Sequence, residues 1–140
     1  MNKAIILALL SMLFAGFTSV IAKMGLKNVS SDAALVVRII FVMVVVLANA
    51  ALFRQFKELK ALTMSDLTYL GISGFTAAMS WIFFYKAIKI GNVSQIILID
   101  KASILITLLL SFIILKEPMT TKTLVGGGLI LAGLIILALK

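Results

Sequence analysis

Five apolar runs, each close to the length that crosses a bilayer, take up most of this chain: residues 4–22, 33–52, 67–85, 93–115 and 123–139. About 20 helical residues span the hydrocarbon core. With 63% hydrophobic residues, a mean hydropathy of +1.24 and a single proline in 140 residues, the chain lies far from the roughly half-apolar composition of soluble domains. It is an integral membrane protein. No run alternates with period two, and lipid leaves backbone groups no partner outside the segment, so each run is expected to be a helix. The expected fold is all-α, one membrane domain over 1–140, multi-pass in the cytoplasmic membrane. The first run follows Lys3 as a signal peptide would, but at about 19 residues it exceeds the usual apolar core of such peptides and reads as a retained span. Ser30, Ser31 or Asp32 can cap the second run, Ser65 or Asp66 the third, and Thr120 or Thr121 the fifth.

A net charge of +8 does not point to nucleic acid here, because the lysines stand at the ends of apolar runs, where they anchor to headgroups. Cysteine and histidine are absent, which excludes disulfides and thiolate or imidazole metal sites. No metal, cofactor or enzymatic chemistry is expected. There is no nucleophile and base pair, and the glycine triplet 126–128 lacks the lysine and strand context of a phosphate loop.

Five spans put the termini on opposite sides, and the Lys/Arg bias of the loops should set which side is cytoplasmic. Lys3, Arg54, Lys57, Lys60, Lys116 and Lys122 fall on one side, and Lys23, Lys27, Lys86, Lys89 and Lys140 on the other. Six against five is almost no bias. A chain without bias can insert both ways, and two opposed copies would build the inverted repeat on which many transporters rest. An antiparallel homodimer is therefore expected; the plainer alternative is that Arg54, Lys57 and Lys60 hold their loop in the cytoplasm.

Asp100 and Lys101 stand side by side within the fourth run. Ionisable residues in hydrocarbon are costly and generally face a bundle interior or a watery cavity, so these are the first candidates for a substrate or coupling site. At 100° per residue Asp100, Ser103, Thr107 and Ser111 share one stripe, while Lys101 points elsewhere. The hydroxyls of that stripe can equally bond their own helix carbonyls. Arg38 lies about 7 Å from the centre of the second run and Asp100 about 6 Å from that of the fourth, so a pair between them, structural or opened by substrate, is depth-compatible. Ser73, Thr76 and Ser80 line one face of the third run near Trp81 and Tyr85; Ser11, Ala15, Thr18 and Ala22 line one face of the first. Both fit a small-residue packing seam as well as a pathway. Trp81 can stack on a ligand ring or cation, or anchor at the interface. Gly126, Gly128, Ala132 and Gly133 make the fifth run the candidate dimer contact.

The residues Ile72-Ser73-Gly74-Phe75, Ser80-Trp81, Tyr85-Lys86-Ala87-Ile88-Lys89-Ile90-Gly91, Val93-Ser94 and Ile99-Asp100-Lys101-Ala102-Ser103, with Glu117-Pro118 and the glycine-rich fifth run, resemble the short EamA-type members of the drug/metabolite transporter superfamily. The resemblance covers nearly the whole chain. Ten-span members of that superfamily are fused inverted five-span halves, so it implies a dimer and export or exchange of a small molecule by alternating access. It names no substrate. Leu98 stands where many members have proline, which leaves the helix geometry beside Asp100 open. The first run holds no acid, unlike the related small multidrug resistance proteins, and the cations near Asp100 favour an anionic or zwitterionic metabolite over a drug cation. Two other readings are a flippase for lipid-linked substrates and a non-transporting membrane assembly subunit.

Overall fold

The computed structural model describes residues 3–138 as helices and short connections, with no strand among them. Helix α1 is Lys3–Gly25, α2 Ser31–Leu52, α3 Met64–Ile90, α4 Val93–Lys101, α5 Ser103–Ile114 and α6 Thr121–Ala138, with a 3-10 segment, Gln55–Ala61, between α2 and α3. Among the described residues four stretches are long and apolar enough to cross a membrane: Lys3–Gly25, Ser31–Leu52, Met64–Ile90 and Val93–Ile114. The last expected run corresponds to a shorter apolar helix, Thr121–Ile136. Two details differ from expectation. The third helix runs several residues past both ends of 67–85, because Thr63 and Asp66 give it an earlier start and Lys86 to Ile90 continue its periodicity. The fourth run is interrupted at Ala102, whose N–H bonds the Ile99 carbonyl at 3.0 Å while Leu105 N–H bonds the Ala102 carbonyl at 3.0 Å. Those i to i−3 bonds tighten the helix for one turn without a proline.

Helix starts are set by side chains that satisfy otherwise orphaned N–H groups. Ser30 caps α2, its Oγ accepting from Ala33 N–H at 3.2 Å. The cap of α3 is Thr63, not Ser65: Thr63 Oγ1 accepts from Asp66 N–H at 3.3 Å, and Asp66 Oδ2 accepts in return from Thr63 N–H at 3.0 Å. This reciprocal arrangement fixes two donors at once. Thr120 caps α6 by accepting from Thr123 N–H at 3.2 Å. Just beyond α2 and α5, Arg54 and Lys116 turn the chain in the left-handed region, each with φ 54°.

Contacts divide the chain into two units, one ending at Ile90 and the other starting at Gly91. In the first, α2 packs on α3, and the buried side chains Leu26, Leu35, Tyr85 and Ile88 gather where α1 and α3 end and α2 begins. In the second, α4 and α5 pack on α6, and Gly127 is the buried point of that contact. Most large apolar side chains of both units are exposed, as suits helices whose surroundings are as apolar as themselves.

Candidate functional site

Arg38 lies seven residues after the first residue of α2, and Trp81 and Tyr85 lie nine and five residues before the last residue of α3. The helices run antiparallel, so these positions share a depth. Trp81 and Tyr85, four apart, occupy one face of α3. The Arg38 guanidinium carbon sits 5.0 Å from the Trp81 ring centroid and 5.5 Å from that of Tyr85. Tyr85 is buried at 3% exposure, and Arg38 and Trp81 are half-buried. Stacking of this kind contributes about 0.5–2 kcal/mol and holds a cation without neutralising it. Trp81 thus stacks on the protein's own cation. Within residues 3–90 the carboxylates are engaged elsewhere or absent from this depth: Asp32 pairs with Lys86 at 3.7 Å, and Asp66 is bonded to Thr63. Beside the guanidinium opens a cavity of about 480 Å³, walled by Phe14, Phe17, Thr18 and Ile21 of α1 and Ala34 and Val37 of α2, with Arg38 and Tyr85 at its polar side.

One end of this unit is tied shut by lysines that were expected only to anchor at headgroups. Lys23, in the last turn of α1, donates to the carbonyls of Ile88 and Lys89 at the end of α3. Lys89 donates to the carbonyls of Leu26 and Val29, the latter at 2.9 Å, with a longer contact to Lys27 at 3.4 Å. The Lys23 ammonium meets the negative, unsatisfied end of α3, and Lys89 binds carbonyls of the connection that follows α1. The Asp32–Lys86 pair stands at the same end.

In the second unit Asp100 and Lys101 face each other, Lys101 Nζ 3.6 Å from Asp100 Oδ2, where divergent directions were expected. The long lysine stem bridges the 100° between neighbouring positions, and the tightened turn at Ala102 follows directly. Of the stripe below Asp100, Thr107 Oγ1 donates to the Ser103 carbonyl at 3.1 Å, and Ser111 donates to the Glu117 carboxylate. Those hydroxyls are serving the helix and its exit. The Ser111–Glu117 bond had no signal in periodicity, since Glu117 lies outside the run. Ser80 is exposed on α3. Arg38 and Asp100 therefore each have a partner within their own unit.

The glycines of α6 separate into two kinds. A Cβ on Gly127 would meet Leu108 Cδ1 at 3.1 Å, whereas Gly126, Gly128 and Gly133 have open space at that position. Gly127 is the one that packs against a neighbouring helix of its own chain. Among the described residues no group of three or more acidic side chains is placed to hold a metal ion.

These features define a polytopic helical membrane protein with charged groups set within its apolar helices. The chain belongs to the EamA-like transporter family, whose model matches residues 2–139. A Sinorhizobium protein named as an uncharacterized transporter in the cobO 3′ region is 30% identical over 131 residues, covering 94% of this chain and 93% of that protein. An uncharacterized protein of Methanocaldococcus jannaschii is 27% identical over 140 residues, covering 100% of this chain and 99% of its own length. No solved structure shows a significant match.

Proposed function

We propose that this protein is a secondary transporter, not an enzyme, that exports or exchanges a small anionic or zwitterionic metabolite across the cytoplasmic membrane by alternating access. It needs no cofactor. The observation that carries this reading is the Asp100–Lys101 pair beside the one-turn tightening at Ala102, within an apolar stretch of a chain that belongs to a transporter family. Charges are retained in such a place when they bind or couple, and a one-turn 3-10 stretch inside a helix is a common site of hinging. Asp100 binds or couples, Lys101 and Arg38 set the charge it presents, and Ser103, Thr107, Ser80 and Trp81 line the path. Five spans, the last being the short α6, make half of an inverted repeat that a second, opposed copy completes through Gly126, Gly128, Ala132 and Gly133.

The direct test is a thermal-shift screen of the purified protein and Asp100→Asn against a metabolite panel. A site ligand at 100 times its Kd raises stability by about 2.7 kcal/mol. The expected result is a metabolite that stabilises the unsubstituted protein and leaves Asp100→Asn unmoved, with uptake of that metabolite into proteoliposomes lost in the variant. Equal uptake by a well-folded Asp100→Asn would remove Asp100 from the mechanism, whereas absence of uptake by either protein would favour an assembly subunit. Orientation is read separately with reporters fused to each terminus: both termini should report from both sides, and a single orientation would end the antiparallel arrangement.

A further inference from the structure

We infer that the Arg38 cavity is the seat of an anionic, single-tailed amphiphile whose headgroup takes the guanidinium and whose apolar body fills the space between α1 and α2. This rests on the transporter reading for its purpose and names the substrate class, but the site itself is argued from geometry. Arg38 places a guanidinium at membrane depth, supported by the faces of Trp81 and Tyr85 and with no carboxylate paired to it among the described residues. An aromatic face stabilises a guanidinium yet leaves its in-plane N–H donors, which match carboxylate and phosphate geometry, free to bind. The donors border a cavity of about 480 Å³ whose other walls are largely apolar, Thr18 and Tyr85 being the lining residues that carry a hydroxyl. Thr18 Oγ1 is itself donating to the Phe14 carbonyl at 2.8 Å. A wholly polar metabolite would leave those walls unused, and a cation would be repelled by Arg38. A volume within the roughly 300–1,000 Å³ of small-molecule sites suits one apolar chain or ring system, so the occupant is a single-tailed acid and not a two-chain bilayer lipid.

The protein carries its own reporter, because Trp81 is the only tryptophan in the chain and lies 5.0 Å from the group that would bind the headgroup. Binding of an anionic headgroup to the stacked guanidinium changes the field at the indole and with it the Trp81 emission. The experiment is a titration of the full chain in phosphatidylcholine nanodiscs with dodecyl phosphate, inorganic phosphate, dodecyltrimethylammonium, and phosphatidic acid mixed into the discs. The expected result is a saturable change with dodecyl phosphate and none with the other three. In Arg38→Gln the half-saturating concentration should rise at least tenfold. Gly25→Leu supplies a second variant less exposed to misfolding, since Gly25 lines the cavity, has no positive φ, and has open space at its Cβ position. It should weaken dodecyl phosphate several-fold by filling the tail space.

An equal response to dodecyltrimethylammonium would overturn the headgroup assignment, and an unchanged response in both variants would overturn the site. A response to inorganic phosphate as tight as to dodecyl phosphate would remove the tail, and one confined to phosphatidic acid would replace the single-tailed ligand with a bilayer lipid. Failure of the transporter reading looks different. Dodecyl phosphate would bind through Arg38 while proteoliposomes moved no solute; conversely, Asp100-dependent uptake with a silent Trp81 would sink this inference alone.

Discussion

Replacing Lys89 with methionine is expected to destabilise the protein by about 2–4 kcal/mol, because an ammonium bonded to main-chain carbonyls contributes about 1.5–3 kcal/mol per strong bond. Its firm acceptors are the carbonyls of Leu26 and Val29, with Lys27 more distant at 3.4 Å. These groups close the end of α1 and the turn into α2, where the core residues Leu26, Leu35, Tyr85 and Ile88 are buried. Methionine keeps the apolar stem and removes the donors, so packing is little altered and the loss reports hydrogen bonding. Lys89→Arg keeps donors at the same place and should lose less than half as much. Lys57→Met, on the exposed 3-10 segment, should stay within about 0.5 kcal/mol. Equilibrium unfolding in mixed micelles measures all three. A Lys89→Met variant as stable as Lys57→Met would mean that the lysines at this end are headgroup anchors after all.

That outcome bears on what could be read in advance. The helices were legible because hydropathy and span length act residue by residue, and lipid forbids the alternatives. The roles of the charges were not, because depth along a helix can be counted from its ends while rotation about its axis and choice of neighbour cannot. Arg38 shows the difference. Its depth was recoverable, and depth allowed either a carboxylate of the fourth run or an aromatic face of the third. Counting back from the end of α3 would have shown Trp81 and Tyr85 at the same level, four apart, and a stacked guanidinium was a reading open to the sequence.

Lys23 and Lys89 were harder. Both lie at helix ends on the same side, which suits headgroups equally well, and only the proximity of the ends of α1 and α3 turns Lys23 onto the carbonyls that end α3 and Lys89 onto those of the segment after α1. Lys101 failed for a different reason, since helical angles describe Cβ directions and a four-carbon stem is free to fold back to Asp100. The interruption at Ala102 carries no proline or glycine signal, and the resemblance pointed to this place without giving its geometry.

The glycines of α6 yield the second large effect, and it separates folding from assembly. A Cβ on Gly127 would sit 3.1 Å from Leu108 Cδ1, a contact that a small shift of a flexible side chain can relieve. Gly127→Ala should therefore cost little. Gly127→Leu places three more carbons in the same contact between α5 and α6 and should destabilise the fold by about 1–3 kcal/mol or more, the usual range for an overpacked interior. Gly133 has nothing within 4 Å of its Cβ position, so Gly133→Leu meets no such obstacle within the chain. If α6 is where two copies meet, Gly133→Leu leaves the monomer's thermal stability unchanged and shifts the dimer toward monomer on native gels, because close helix approach requires small residues at the seam. Gly127→Leu lowers thermal stability whether or not a dimer forms. A Gly133→Leu protein that remains fully dimeric would move the contact to another helix, and a Gly127→Leu protein as stable as the parent would show that α6 does not pack on α5 through Leu108.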